Sequence, residues 1–318
     1  MKAVRYHSYG GSDVLVYEEA DRPVADAGQV VVQVAGTSFN LLDAAIRAGL
    51  LQQVFPVAFP HVPNYDAAGV ITEVGEGVRG WSVGDAVVAF LPPAAPGAAA
   101  EYVAAPAEAL AAAPRTGELA DAAALPSVGL TAWQALFEHA DLTPGQSILI
   151  DGAGGGVGGY AVQLAAQAGA TVTATASARS LDRVRSYGAD QIVDYTATPI
   201  AQAVAGQRFD VVLHLAPTSP DLAPTSPEET AQLVDMVADG GAFVSTTTPG
   251  PEDAGRGVRT VRVFVRSDSA QLAELVTRVD AGDLKINVAE RRPLTDLAAV
   301  HDQAAAGRLA GKTVLTLA

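Results

Sequence analysis

The sequence predicts an α/β protein in which a doubly wound parallel sheet follows a β-rich first third. Three observations carry this. Short β-branched runs bounded by turn residues fill the chain to about residue 122, apolar strands then alternate with helical patches, and glycines crowd the junction after the strand Ser147–Ile150. Alternation favours parallel pairing, because each parallel return needs a crossover and the crossover is usually a helix.

In the first third, Val30–Val34 (VVVQV), Gly69–Val74 (GVITEV) and Asp85–Ala89 (DAVVA) read as strands, with turns at Gly75, Gly77, Gly80 and Gly84. Leu41–Arg47 (LLDAAIR) is a helical patch, and Leu91–Ala100 is a Pro/Ala/Gly loop without a core pattern. The period then changes. Leu125–His139 reads as helix, Ser147–Ile150 as an apolar strand and Val157–Ala168 as an apolar helix. Strands at Thr171–Thr175, Gln191–Val193, Phe209–Leu215 and Ala242–Thr246 alternate with helices near Ser180–Tyr187 and Thr230–Ala238. The last stretch returns to short strands with a helix at Ser269–Ala281. The expected division is 1–122, 123–262 and 263–318. Ala216–Pro227 carries APTSP twice and reads as a solvated connector, with a cofactor-side binding loop as the alternative.

Composition narrows the function. With 318 residues, 49% hydrophobic and 17% charged, the chain is long and apolar enough for two packed domains. A net charge of −15 argues against nucleic acid, whose phosphates want a basic face. There is no cysteine, which removes thiolate zinc sites, cysteine nucleophiles and redox pairs. The five histidines are scattered and no metal spacing appears. No apolar run follows Lys2 and Arg5, and no run of about 18 apolar residues occurs elsewhere, so a cytoplasmic location is expected.

The strongest signal is Ser147–Ala170, an apolar strand running into Gly152, Gly154, Gly155, Gly156 and Gly158 and then a helix. Glycine lets the backbone turn tightly and approach a pyrophosphate, and the helix start offers free N–H groups and partial positive charge. Gly154, Gly155, Gly156 and Val157 are the expected phosphate contacts; a purely structural turn is the alternative. Which dinucleotide binds is decided at the end of the second strand. An NAD site usually has Asp or Glu there, whereas this chain reads Thr175-Ala-Ser177-Ala-Arg179, with no acid before Asp182. Ser177 can donate to a 2′-phosphate and Arg179 can pair with it, which favours NADPH. Arg179 as a solvated residue opening a helix is the other reading. His214 ends the FDVVLHL strand near the expected cofactor edge, or is a satisfied structural residue.

These segments resemble the zinc-independent quinone oxidoreductases of the medium-chain dehydrogenase/reductase superfamily along essentially the whole chain. Ser38-Phe-Asn40-Leu-Leu-Asp43 with Arg47-Ala-Gly49, Asp66-Ala-Ala-Gly69-Val, Val74-Gly75-Glu-Gly77-Val, Val83-Gly84-Asp85, Gly152–Gly158 and Gly311-Lys312-Thr-Val-Leu are similar to that family's motifs in order and spacing. Met1–Pro23 looks like its opening strand pair. The resemblance implies a GroES-like catalytic domain formed by both chain ends around a Rossmann domain, a cleft where nicotinamide meets substrate, and a homodimer. It implies Asn40 and Thr131 near the nicotinamide and Tyr195 near the 2′-phosphate; Thr131 and Tyr195 also fit plain packing roles. Zinc-dependent relatives carry Gly-His-Glu where this chain has Asn64-Tyr65-Asp66, so Tyr65 stands where a zinc-binding histidine would point into the cleft. Gly49 is followed by Leu50-Leu51, where members often carry a tyrosine, and an enoyl-reductase type of tyrosine donor is therefore not supplied there.

The expected chemistry is metal-free hydride transfer from NADPH to a small quinone or α,β-unsaturated carbonyl compound, with Asn40 and Tyr65 beside the substrate. Two other readings stand beside it: an enoyl reductase acting on a polyketide or acyl thioester, and a non-catalytic NADPH-binding sensor.

Overall fold

A computed structural model describes residues 1–216, 225–252 and 254–317. The chain divides into two compact units, one of residues 1–127 with 267–318 and one of residues 128–266.

The first unit opens with β1 (Lys2–Arg5) and β2 (Val16–Glu19), an antiparallel pair, and continues with β3 (Gln29–Ser38), α1 (Leu41–Arg47), β4 (Asp66–Val74), β5 (Ala86–Phe90), β6 (Tyr102–Pro106) and β7 (Leu110–Ala112). α2 (Pro126–Trp133), which lies in the second unit from Val128 onward, then runs into π-type turns at Gln134–His139, where the periodicity predicts one continuous α-helix. Gln134 shows what those turns present: its amide donates to Arg266 O at 3.0 Å and accepts from Arg266 N–H at 3.1 Å.

The second unit is a six-stranded, all-parallel sheet. β8 (Ser147–Asp151), α3 (Gly156–Gln167), β9 (Thr171–Ala176), α4 (Leu181–Ser186), β10 (Gln191–Asp194) and α5 (Ile200–Ala203) form its first half. β11 (Phe209–His214), α6 (Pro227–Asp235), β12 (Val237–Ser245) and β13 (Arg259–Arg262) form the second. The spatial order is β10-β9-β8-β11-β12-β13, that of a dinucleotide-binding doubly wound sheet, with the order reversing between β8 and β11. β8 is buried on both faces, which is why Ile148, Leu149 and Ile150 read as a continuous apolar run and not an alternating one. Leu149, Val212, Phe243, Leu233 and Val237 pack one side of the sheet.

The chain returns to the first unit through α7 (Ser269–Asp280), β14 (Glu290–Pro293), α8 (Leu297–Ala305) and β15 (Thr313–Thr316). β15 pairs antiparallel with β3, so the C-terminal strand completes the sheet β14-β15-β3-β4-β5-β7, with β6 also on β3. α8 was not evident from the sequence, although Leu297, Val300, His301 and Ala304 fall on one buried stripe at helical spacing. Leu297, Val300 and Ala304 pack with Ala3, Val4, Phe39 and Leu315, and the His301 ring lies against Phe39.

Of the APTSP repeat, residues 217–224 lie outside the described residues. The end of the second copy starts α6: Ser226 Oγ accepts from Glu229 N–H at 3.2 Å, Pro227 occupies the first turn, and the Glu229 carboxylate reaches back to Ser226. No helix among the described residues is long and apolar enough to cross a membrane.

Candidate functional site

In the second unit, β8 ends at Asp151 and the chain turns at Gly152 with φ +88°, a conformation that a side chain would strain. Gly158 faces a harder constraint: a Cβ there would lie 2.3 Å from Gly152 O and 2.6 Å from Ala153 Cα. The loop is thus folded tightly on α3 by the absence of side chains. Gly155 caps α3 without any side-chain hydrogen bond, and Gly156 and Val157 form its first turn, so backbone N–H groups are left for a ligand at the positive end of the helix. Arg183 from α4 donates to Gly154 O at 2.7 Å and ties the loop to the next crossover helix.

Beneath the loop runs a directional hydrogen-bond chain. His214 Nδ1 is 2.7 Å from Asp151 Oδ2, and His214 Nε2 is 2.7 Å from Thr225 Oγ1. A carboxylate only accepts, so Nδ1 donates to it, and in the neutral ring Nε2 is then the acceptor for the threonine hydroxyl. Thr175 Oγ1 donates to Asp151 Oδ1 at 2.8 Å and accepts from Gly152 N–H at 2.9 Å. The carboxyl ends of β8, β9 and β11 and the first loop glycine are joined in this way. His214 is buried with both ring nitrogens engaged, which leaves it no polar atom for direct contact with a nucleotide.

After β9, Ser177 is half-buried and Arg179 exposed; the first carboxylate, Asp182, is in α4 and pairs with Arg185 at 3.1 Å. Tyr195 follows β10 and is exposed. Thr131 is buried in α2.

In the first unit, Asn40 precedes α1, where its N–H donates to the Asp43 carboxylate at 2.9 Å. Its side chain meets Asp66, the first residue of β4, at 2.9 Å. Asp66 also accepts from Ser38 Oγ at 2.7 Å, from Ser127 N–H and Oγ at 2.8 and 2.7 Å, and from Lys312 Nζ at 3.2 Å. Tyr65 is buried against Phe90, with ring centroids 5.4 Å apart, and follows Asn64, whose φ is +69°. Burial first, then the carboxyls of Asp43 and Asp66, hold the Tyr65 phenol well above its ordinary range. Burial also pushes the Asp43 carboxyl up to about 7, against the N–H donors of Asn40 and Asn64 that favour its ionised form. A small cavity of about 10 Å³ lies among Tyr6, Asp43, His61, Asn64 and Tyr65. The Tyr6 hydroxyl and both polar atoms of the Asn64 amide are buried around it without a partner. That volume is about one water molecule, which is what such groups require.

Residues 26–115 match the family model for the alcohol dehydrogenase GroES-like domain, and residues 187–315 match the one for zinc-binding dehydrogenases. A chloroplastic quinone oxidoreductase of Triphysaria versicolor is 32% identical over 99% of this chain and 98% of its own length. The chain belongs to the quinone oxidoreductase family of the medium-chain dehydrogenase/reductase superfamily. It is an oxidoreductase with a Rossmann sheet and a GroES-like domain. A 2-methylene-furan-3-one reductase of Solanum lycopersicum is 32% identical over 99% of this chain and 79% of its own. The quinone oxidoreductase of Coxiella burnetii superposes with a TM-score of 0.87 at 27% identity, covering 100% of this chain and 99% of that one.

Zinc, which the second family model's description names, does not fit the donors present. This family member has no cysteine, and no group of His, Asp and Glu among the described residues is placed to hold an ion. Asp66 is paired instead with the Lys312 ammonium at 3.2 Å. Sequence reasoning missed Asp66, Lys312 and Ser127 as parts of one site. The available signal was scarcity, since Lys312 is one of only three lysines.

Proposed function

We propose that the chain is an NADPH-dependent, metal-free reductase of quinones or α,β-unsaturated carbonyl compounds. The observation that carries the cofactor choice is the tip of β9, where a half-buried Ser177 and an exposed Arg179 stand in place of the carboxylate that would select a free ribose 2′-hydroxyl. The loop below fits a dinucleotide: its glycines leave backbone N–H groups uncovered at the start of α3. Bound there, the cofactor supplies a hydride.

In this reading Gly154, Gly155, Gly156 and Val157 take the pyrophosphate. Ser177 and Arg179 take the 2′-phosphate, with Tyr195 alongside. Thr131 contacts the nicotinamide, and Asn40 and Tyr65 face the substrate. His214 contributes by holding the strand ends under the loop. With no cysteine to hold a metal that would polarise a carbonyl, reduction of conjugated acceptors is favoured over alcohol oxidation. The names of the relatives from Triphysaria and Solanum, a quinone oxidoreductase and a 2-methylene-furan-3-one reductase, support the same class.

We include a homodimer in the proposal. β13 is an outer strand of its sheet and Phe264, just beyond it, is 70% exposed. Light scattering on the purified chain tests this. The function is tested by fluorescence titration with NADPH and NADH, followed by turnover of a panel of quinones, enones and enoyl thioesters. Tight NADPH binding with turnover of none would replace the enzyme reading by that of a sensor.

A further inference from the structure

The Asp66 carboxylate is 0% exposed and accepts five hydrogen bonds, from Ser38, Asn40, Lys312 and twice from Ser127. The Lys312 ammonium is buried too, and its three donors are used on Phe39 O at 3.3 Å, Asn40 Oδ1 at 2.5 Å and Asp66 Oδ2 at 3.2 Å. Ser38 and Ser127 are buried as well. Of the five side chains, only Asn40 is half-open to its surroundings. A buried charge pair that could have been replaced by apolar packing thus holds the amide of one partly exposed residue.

The chemistry of the partners fixes which way that amide points. An ammonium only donates, so the atom beside Lys312 is the oxygen; a carboxylate only accepts, so the atom beside Asp66 is the nitrogen. One Nδ2–H is spent on Asp66 and the oxygen on Lys312. The Ser127 hydroxyl, 3.4 Å from Asn40 Oδ1, has a single hydrogen and gives it to Asp66 at 2.7 Å. What remains to offer is the second Nδ2–H.

We propose that Asn40 is a donor-only contact for the acceptor oxygen of the substrate, and that Lys312 and Asp66 are positioning residues that lock and polarise its amide. The proposal rests on the reductase reading above and narrows it: the group bound at Asn40 is a carbonyl or quinone oxygen and not a hydroxyl donor. Hydride added to the carbon β to a carbonyl would give an enolate: the C=C pair becomes the new bond between the α-carbon and the carbonyl carbon, and the carbonyl π pair moves onto the oxygen. The negative charge forms against the free N–H, and a solvent proton at the α-carbon completes the two-electron reduction that oxidises the nicotinamide. The Lys312 ammonium on Asn40 Oδ1 draws charge through the amide and makes that N–H a stronger donor.

The decisive measurement needs no cofactor and no turnover. In ¹⁵N-labelled full-length protein, the Asn40 side-chain amide is assigned by its loss in Asn40→Ser. Its two protons are expected at widely separated shifts, one bound to Asp66. Adding cyclohexanone, a saturated ketone, moves the other proton alone. Kinetics on an enone with NADPH add a second readout. Asn40→Asp is expected to lower kcat about 100-fold with NADPH affinity kept within about twofold. Lys312→Met lowers kcat about 10-fold or more, and Lys312→Arg restores part of it. Ketone that shifts both amide protons or neither overturns the proposal. So does a folded Lys312→Met variant with unchanged kcat/KM. Should Lys312→Met fail to fold, the wild-type amide spectrum decides alone. A ketone response at Asn40 in a protein that reduces none of the panel would instead sink the reductase reading and leave the acceptor-oxygen contact standing.

Discussion

His214 and Asp151 are register partners on neighbouring parallel strands, their side chains 2.7 Å apart where the strand order of the sheet reverses. Ligands of doubly wound sheets bind outside the carboxyl ends of the strands at this reversal. The pair closes the floor under the glycine loop, through Thr175 to Gly152 N–H and through Thr225 to the segment leading into α6. Replacing His214 by Leu strands a buried carboxylate and a buried hydroxyl. The expected loss is about 2–4 kcal/mol in urea unfolding of the cofactor-free protein, with weaker NADPH binding. His214→Gln, which keeps a donor, loses less. Equal stability of His214→Leu and wild type would show that the chain of bonds holds nothing.

The loop itself gives an ordered pair of substitutions. Gly158→Ala places a methyl 2.3 Å from Gly152 O and must displace backbone, whereas a Cβ at Gly155 meets only Gly152 O at 3.3 Å. Gly158→Ala is expected to weaken NADPH more than tenfold and to lower stability by about 2 kcal/mol or more. Gly155→Ala changes both much less. Calorimetry and fluorescence titration of the two variants check the order, and a reversed order counts against the loop geometry.

The proposed function puts the cofactor preference at the tip of β9. Arg179 is exposed, so its pairing with a 2′-phosphate is worth about 1 kcal/mol, or roughly fivefold in Kd. Arg179→Ala therefore weakens NADPH about that much and leaves NADH unchanged. Ser177→Asp sets a carboxylate against the phosphate and in favour of the ribose hydroxyls, reversing the preference. Equal losses for the two nucleotides in Arg179→Ala would remove the 2′-phosphate assignment.

His301 makes stability depend on acid. Its ring lies edge-on to Phe39 at 4.7 Å, and neither nitrogen has a partner. Burial, with the nearby Arg47 guanidinium, pushes its pKa down to about 3. The unfolded chain, with a histidine near 6.5, takes up the proton first. The contribution is therefore fully present above pH 6.5 and is lost as pH falls towards 3, by about 3 kcal/mol at pH 4. His61, lowered by burial to about 4, adds with the same sign. Asp43, raised to about 7, opposes them, because its protonated form is favoured by folding as pH falls from 7 to 3.8. Comparing His301→Leu with wild type cancels both. The variant is expected to be more stable by about 1 kcal/mol at pH 7 and by several at pH 4, read from urea midpoints. A difference that does not grow between pH 7 and pH 4 would contradict the burial of a neutral ring.

Much of this was legible in the residues. Ser147–Ile150 followed by glycines can hardly be anything but a buried strand turning into a helix, because so few side chains leave one backbone path. The absence of a carboxylate after Thr175 is likewise a local fact. The π-type turns after Trp133 and the helix Leu297–Ala305 are not legible there: hydrogen-bond period is invisible to composition, and a stripe rich in alanine carries little contrast. Thr131, Tyr195 and Ser177 could be named from position, but their exposure could not.

The sequence by itself determined the α/β class, the glycine loop, the lack of thiolate ligands and the absence of a carboxylate at the tip of β9, since each depends on neighbours a few residues apart. Only the tertiary structure decided that Asp66 and Lys312, 246 residues apart, share a buried ion pair around Asn40, and that His214 braces a loop it was expected to flank. Strand pairing brings β15 onto β3 and β8 beside β11, and long-range register, unlike local propensity, is set by which faces can be buried together.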